Sequence, residues 1–194
     1  MPTWLVTSTF YGQWLPGDAR GCVTRVRERR ADDPETPIRI EHDELGEDYE
    51  PPMPGLEKAA LTQLKGPPVA LDLAQAERLL AQFQETAKFR GWTLLAVSVM
   101  ANHVHLIVDA PPEAGKSTLL RDFKSYGARR LNRIFGPRVS GTWWSDGGSC
   151  RVLRSLPAAV HYVCHRQPKP LLVWSQERGR IPVSESDPGN VFSG

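Results

Sequence analysis

The sequence predicts an α+β fold in which helices pack on one antiparallel sheet. Short β-branched and apolar runs alternate with longer segments whose apolar residues recur at steps of three and four, the patterns of strands and of helices. The chain has 194 residues, 40% of them hydrophobic and 24% charged, which suffices for about one globular domain with an elaboration. No run of about 18 apolar residues occurs, so we expect no membrane-spanning helix.

The first third of the chain combines one strand with a long irregular segment. Residues 3–10 are β-branched and aromatic and predict a strand. From about 25 to 68, scattered prolines and acids predict an insertion with at most one short helix, near 56–64. Within it, residues 31–50 carry nine acids and one arginine, a net charge of −8, which leaves +10 on the other 174 residues. This asymmetry points to a polyanionic partner.

The remaining elements follow from periodicity and from residues that begin or end helices. Asp72 is a suitable N-cap for the first long helix, and Gly91 ends that helix. Pro157 suits the first turn of the last helix. In chain order we expect a helix over 72–90, strands over 94–100 and 103–108, a helix over 116–135, short strands over 141–144 and 149–153, a helix from 157 to 166 or 167, and a polar tail over about 173–194. We expect all of these elements to form a single domain.

The cysteines and the first residues bear on the compartment. Cys22, Cys150 and Cys164 are odd in number and form no CxxC pair, which favours a reducing cytoplasm over a disulfide scaffold or a zinc–cysteine module. The start of the chain lacks the basic segment and cleavage site of a secretory signal. We therefore expect a cytoplasmic protein, associated with the nucleoid if its partner is DNA.

A histidine pair provides the first candidate for chemistry. His103 and His105 flank Val104 in a predicted strand, where residues two apart point to the same face. Two neutral imidazoles side by side supply two ligands of a divalent metal site. An isolated pair of this kind is more often found as two histidines on a solvated sheet face.

The residues around the pair resemble a known family. The run Met-Ala-Asn-His-Val-His-Leu-Ile-Val over 100–108 is similar to the histidine motif of the HUH single-tyrosine transposases, which include the group associated with repetitive extragenic palindromes. The resemblance covers about 3–14 and 72–172. It implies a ferredoxin-like (RRM-like) sheet with the histidines on its central strand, a divalent metal (Mg or Mn), and a nucleophilic tyrosine on a later helix.

The four tyrosines offer different environments for that nucleophile. Tyr49 lies in the acidic segment, which would repel a phosphate, and Tyr11 precedes a glycine-rich break. Tyr126 has the apolar spacing of a core or DNA-contacting residue. Tyr162 lies on the last predicted helix, where the family places its catalytic tyrosine, so the resemblance makes it the candidate.

The resemblance also implies a third metal ligand about one helical turn after the tyrosine. The residue four positions on is Arg166, which cannot coordinate a cation. His165 shares a face with Tyr162, whereas Gln167 lies off that face unless Pro168 turns it back toward the site. Both Gln167 and His165 stay open as ligands, and chemical type slightly favours Gln167.

Basic residues after the histidine strand indicate a DNA-binding surface. Over 116–138, seven bases face one acid, whereas a merely solvated helix usually mixes the two signs. Trp92, Trp143 and Trp144 either stack on unpaired bases or pack in the core. The candidate DNA-binding residues are Lys116, Arg121, Lys124, Arg129, Arg130 and Arg133 on the helix, followed by Arg151 and Arg154.

Together these features predict a metal-dependent single-stranded DNA endonuclease and strand transferase that acts through a covalent 5′-phosphotyrosine, on hairpin or palindromic DNA. No GxxxxGK[ST] motif occurs, so no nucleotide cofactor is expected. The alternatives are a non-catalytic nucleic-acid-binding module, a hydrolase that activates water, and an inactive or domesticated relative. A monomer and a domain-swapped homodimer remain open.

Overall fold

The computed structural model describes residues 1–19, 27–28, 38–39 and 53–183. None of the helices within these ranges is both long and apolar enough to cross a membrane. The elements in chain order are β1 (Thr3–Thr9), β2 (Arg27–Glu28), β3 (Ile38–Arg39), α1 (Pro54–Thr62), α2 (Leu73–Arg90), β4 (Thr93–Val99), β5 (His103–Asp109), a 3-10 turn (Pro112–Ala114), α3 (Gly115–Phe135), β6 (Ser149–Val152), α4 (Leu156–His165), β7 (Leu172–Ser175) and β8 (Gly179–Ile181).

Six strands form an antiparallel sheet in the order β6-β1-β5-β4-β7-β8. Four neighbouring strands of this sheet, β1, β4, β5 and β6, are connected through α2 and α3 in the β-α-β-β-α-β order of a ferredoxin-like domain. The predicted α+β, ferredoxin-like fold class is therefore confirmed. Because β5 lies between β1 and β4, the histidine strand is an interior strand of the sheet.

The face of the sheet under α2 and α3 carries the larger core. Alternate residues of β5, Val104, Leu106 and Val108, point to this face and are buried with the apolar sides of both helices. The two helices approach closely at Gly127 of α3, where an added Cβ would lie 2.8 Å from Leu79 Cδ1. A glycine at this position therefore permits the helix contact.

The ends of α2 agree with the predicted signals. The Asp72 side chain accepts a hydrogen bond from the Gln75 N–H at 2.8 Å, and the Gln75 side chain accepts one from the Asp72 N–H, a complete capping box. Gly91 ends the helix with φ +68°, a left-handed conformation that glycine adopts readily.

The opposite face of the sheet is covered by α4. Ala159, Val163 and Cys164 of this helix pack with Ile107 of β5 and with residues of β4 and β7. Ser155 caps the helix through a hydrogen bond from the Ala158 N–H. This apolar cluster is much smaller than the core on the other face.

Two expectations about the second half of the chain are wrong. Residues 141–144 form no strand, because their only ladder contact is a single bridge between Trp144 and Phe10. The tail expected over 173–194 is folded at its start, since β7 pairs with β4 and β8 pairs with β7. Residues 184–194 lie outside the described ranges.

The acidic insertion is described only in part. The short helix expected near 56–64 is present as α1. Most of the acidic stretch over 31–50, including Tyr49, lies outside the described residues, as does Cys22.

Candidate active site on the α4 face of the sheet

The histidine pair lies on the α4 face of β5. Strand alternation directs His103 and His105 to this face, with Val104 on the other, as the spacing predicts. Across the strand pair, His105 is opposite Thr7 and His103 is opposite Thr9 of β1. The two imidazole centroids are 4.9 Å apart with an interplanar angle of 85°, and each residue is 6% exposed.

Neighbouring oxygens orient both imidazoles. His103 Nδ1 lies 2.6 Å from Asn102 Oδ1, and His105 Nδ1 lies 2.8 Å from Thr7 Oγ1. An amide oxygen only accepts, so His103 Nδ1 carries a proton, and Nε2 is the nitrogen that can serve as a ligand when the ring is neutral. This is how metal-binding histidines are commonly held, with one ring nitrogen fixed by an oxygen and the other left as a ligand.

Burial keeps His105 neutral. Desolvation, followed by the charge of His103, lowers the pKa of His105 from 6.5 to about 3, and a hydrogen bond with the Gln167 side chain opposes this shift. A neutral imidazole is the form that binds a metal. The donor set therefore fits a divalent cation.

Tyr162 lies beside the pair. It is on α4, and its ring centroid is 5.5 Å from that of His105 at an interplanar angle of 65°. The residue is 43% exposed, so a polymer could reach it from solvent. The tyrosine and the two histidines thus come together within one chain.

Of the two candidate third ligands, Gln167 lies at the pair. Its Nε2 donates a hydrogen bond to the Tyr162 carbonyl at 3.1 Å, and its side chain is also hydrogen-bonded to His105. The helix ends at His165, and Pro168 follows, so the chain turns Gln167 back as the sequence allowed. His165 instead lies against His161, with ring centroids 5.5 Å apart.

The site is not a cluster of charged or thiol ligands. Across the parts of the chain that the structure describes, no three His, Cys, Asp or Glu side chains come together to hold a metal. A cation here therefore needs the Gln167 amide, or oxygens of the substrate, in addition to the two imidazoles.

Trp14 lies at the histidine pair, a position that no sequence pattern predicted. Its ring centroid lies 4.7 Å from that of His103, although it follows β1 by several residues. Thr7 was missed as well, because only the pairing of β1 with β5 brings it to His105. The sequence does indicate which face Thr7 is on, because it alternates along β1 with residues that point to the larger core.

The other described tyrosines have different environments. The Tyr11 hydroxyl accepts a hydrogen bond from the Lys65 N–H at 2.7 Å, and its ring packs against the larger core. Tyr126 lies under the guanidinium of Arg129, 4.8 Å from ring centroid to Cζ.

The basic residues of α3 lie in the helix layer on the far side of the sheet from Tyr162. Arg121 lies 2.9 Å from the buried carboxylate of Asp122, which also pairs with Arg90 at 2.7 Å. Lys124 Nζ donates to the carbonyls of Ser145 and Gly147. The exposed basic residues of this helix are Lys116, Arg121, Arg129 and Arg133, and the part-buried ones are Lys124 and Arg130.

Arg151 points to the opposite side from these helix residues. It follows Cys150, which is buried in the α2 and α3 core, so alternation along β6 directs Arg151 to the α4 face. Arg154 is exposed between β6 and α4. The predicted basic set is therefore divided between the two sides of the sheet.

The three candidate stacking tryptophans pack in the core. Trp92, Trp143 and Trp144 are each at most 8% exposed. Trp143 Nε1 donates to Asn132 Oδ1 at 2.7 Å, and Trp144 Nε1 donates to the Lys124 carbonyl at 2.9 Å. Core packing, one of the two alternatives, is the correct one.

Comparisons with known proteins agree with the sequence motif. No curated protein matches the chain. Among solved structures, a protein of Deinococcus radiodurans R1 with a provisional transposase assignment is 15% identical, with 81% of this chain and 82% of that chain covered and a TM-score of 0.45. A REP-associated tyrosine transposase bound to a REP hairpin is 13% identical, with 84% and 62% covered and a TM-score of 0.41. Residues 69–153, which include the histidine strand, match the family model described as Transposase IS200 like, in agreement with the family that the sequence resembles.

Proposed function

We propose that this chain is a metal-dependent single-stranded DNA endonuclease and strand transferase that forms a covalent 5′-phosphotyrosine on Tyr162. The observation that carries the proposal is the 5.5 Å separation of the Tyr162 and His105 rings. The family match supports transposase-type DNA activity, but it ends at residue 153. The role of the tyrosine therefore depends on its position in the structure and on the resemblance.

Tyr162 is the nucleophile in this mechanism. Its phenolic oxygen attacks the phosphorus of a phosphodiester in line with the leaving 3′ oxygen, so the Tyr–O–P bond forms as the P–O3′ bond breaks. The phenol loses its proton and the 3′ oxygen gains one. Because the phosphotyrosine keeps the energy of the broken bond, a 3′ hydroxyl can reverse the reaction and join strands without a nucleotide cofactor.

His103, His105 and Gln167 would hold a divalent cation, Mg²⁺ or Mn²⁺. When bound, this ion supplies Lewis-acid stabilisation of the charge that develops on the phosphate. Asn102 and Thr7 fix the planes of the imidazoles, and the Gln167 amide joins His105 to the backbone of Tyr162. These contacts hold the tyrosine and the histidines in a constant relation to each other.

The divided basic residues support a DNA path around the β6 edge of the sheet. Lys116, near the start of α3, lies close enough to Cys150 of β6 to lower the pKa of its thiol, which burial raises to about 11. Arg151, the next residue, lies on the Tyr162 side. With a DNA hairpin bound against α3, its single-stranded flank can thus pass Arg151 and reach Tyr162.

An adduct assay tests the nucleophile. Protein, Mn²⁺ or Mg²⁺ and a 3′-labelled hairpin oligonucleotide with single-stranded flanks are separated on a denaturing gel, where a 5′-phosphotyrosine carries the label. We expect an adduct from wild type and none from Tyr162→Phe. Tyr11→Phe, which removes one hydrogen bond away from the histidines, is the matched control and keeps the adduct.

Other outcomes identify the alternatives. Free 5′-phosphate ends that persist in Tyr162→Phe would show a hydrolase that activates water. DNA binding without cleavage, with any hairpin tried, would show a binding module or an inactive relative.

A mixing experiment tests whether the site is complete within one chain. Tyr162→Phe and His105→Ala each lack one part of the site, so we expect their mixture to form no adduct. An adduct in the mixture would show that Tyr162 of one copy serves the histidines of another, as in a domain-swapped homodimer.

A further inference from the structure

We infer that the cavity beside His103 is a pocket for one unpaired nucleobase of the DNA strand, next to the phosphate that Tyr162 attacks. The inference deepens the proposed function and rests on it for the identity of the substrate. It assigns to this chain a residue set that receives the base at the cleavage position.

The cavity has a volume of about 460 Å³ and lies at one end of the sheet. Four separate segments line it: the loop after β1 with Gln13 and Trp14, the segment before α2 with Ala70, the turn between β4 and β5 with Asn102, and the loop after α4 with Lys169. His103 forms part of the wall. The volume falls within the range of small-ligand sites, about 300–1,000 Å³.

The lining suits a flat aromatic ligand with polar edges. Trp14 provides an aromatic ring on which nucleobases of any kind can stack, and the buried Met100 forms part of the cavity wall. Gln13 donates its Nε2 to the Val69 carbonyl at 3.0 Å, which orients the amide and leaves Oε1 as an acceptor for a base amino group. Stacking surface with one oriented polar group is the composition of a base-binding pocket.

Backbone strain is concentrated at this cavity. Within the described parts of the chain, the non-glycine residues with positive φ are Trp14 (φ +48°) and Lys169 (φ +45°), and both line the cavity. The left-handed region is unfavourable for side chains other than glycine, asparagine and aspartate. Strain of this kind persists where the surroundings enforce it and occurs mostly at functional sites.

The position of the cavity determines which base it takes. His103 belongs both to the cavity wall and to the proposed metal site, so a base in the cavity is attached to a phosphate near the cation. The exposed Lys169 ammonium at the rim adds a positive charge for the backbone. A nucleotide that places its phosphate at Tyr162 therefore has its own base, or the adjacent one, in the pocket.

Fluorescence of substituted oligonucleotides tests the pocket without cleavage. Tyr162→Phe protein is titrated into single-stranded oligonucleotides that carry 2-aminopurine at successive positions around the cleavage site. We expect the emission to change on binding at one position more than at its neighbours. Adding Trp14→Ala to this protein should remove the positional response and weaken binding roughly tenfold, as expected for loss of base stacking.

Lys169→Gly keeps the test valid if Trp14→Ala fails to fold. Glycine tolerates φ +45°, so the melting temperature should not fall, whereas binding should weaken severalfold through loss of the charge. Lys88→Ala, an exposed lysine at the end of α2 in the other layer, is the control and should bind as tightly as its parent.

The adduct assay on wild-type protein separates the two proposals. A positional response that depends on Trp14, with no adduct, would keep the pocket and overturn the chemistry. An adduct with no positional response, or with a response unchanged by both Trp14→Ala and Lys169→Gly, would overturn the pocket and keep the chemistry.

Discussion

The two faces of the sheet differ in what their residues do, and β5 contributes to both. Under α2 and α3, Val104, Leu106 and Val108 belong to a cluster of 26 buried apolar residues among those described, whereas the cluster under α4 has six. On the α4 face the same strand presents His103 and His105. Successive side chains of a strand point to opposite faces of the sheet. One set of β5 residues can therefore pack in the larger core while the alternate set forms the candidate site.

Of the variants that test this difference between the two faces, His105→Ala should have the largest effect. We expect His105→Ala to reduce adduct formation about 1,000-fold or more, since a catalytic cation supplies several kcal/mol. Stability should change little, because the residue lies outside both apolar clusters. The adduct assay and thermal melting measure the two effects. A large drop in melting temperature would mean that the site face also carries stability.

The next residue along the strand should behave in the opposite way. Leu106→Ala removes a side chain that is 1% exposed, and we expect the free energy of unfolding to fall by about 2–5 kcal/mol. Urea denaturation measures this change. Below the transition, the remaining folded protein should still form adduct at near its normal rate. Loss of adduct in folded protein would break the division between the faces.

A smaller effect is expected within the site face. Thr7→Val keeps the shape of the residue but loses the oxygen at His105 Nδ1, and should weaken Mn²⁺ binding about 10–100-fold by calorimetric titration. The matched control is Thr3→Val. Thr3 lies on the same face of β1 as Thr7 and donates a hydrogen bond to Asp109 of β5, so its loss should leave the Mn²⁺ affinity unchanged. Equal losses in both variants would argue against a metal site at the histidines.

The smallest effect is expected in the helix layer. Asp72→Ala removes the N-cap of α2 and should lower stability by about 1 kcal/mol in denaturation experiments. Adduct formation should be unchanged, because α2 lies on the face opposite Tyr162. A loss of activity as large as that of His105→Ala would show that the two layers are coupled.

Local rules predicted most of the elements. Periodicity and caps located α2 nearly to the residue, and alternation placed the two histidines on one face. The strand expected over 141–144 is absent because Trp143 and Trp144 are buried without pairing as a strand. Buried aromatic residues give the same sequence pattern in both cases. The strands β7 and β8 were missed because short strands acquire stability from their pairing with β4, which no local signal reports.

The parts of the candidate site that the sequence could not predict depend on contacts between distant segments. Thr7 and Trp14 reach the histidines only through the β1–β5 register and the loop that follows β1. The basic residues of α3 have a clear charge pattern, but the sequence does not say on which side of the sheet the helix packs. Tyr162 needed the family resemblance, since helical spacing alone does not distinguish a nucleophile from a core aromatic residue.

The outer strands of the sheet affect how copies of the chain meet. β6 has four residues and β8 has three, so each edge offers little unpaired backbone to another strand. Arg180 in β8 is charged and pairs with Glu77, and Pro182 follows the strand without an N–H to donate. We therefore expect the protein to resist edge-to-edge aggregation at the high concentrations that structural work requires.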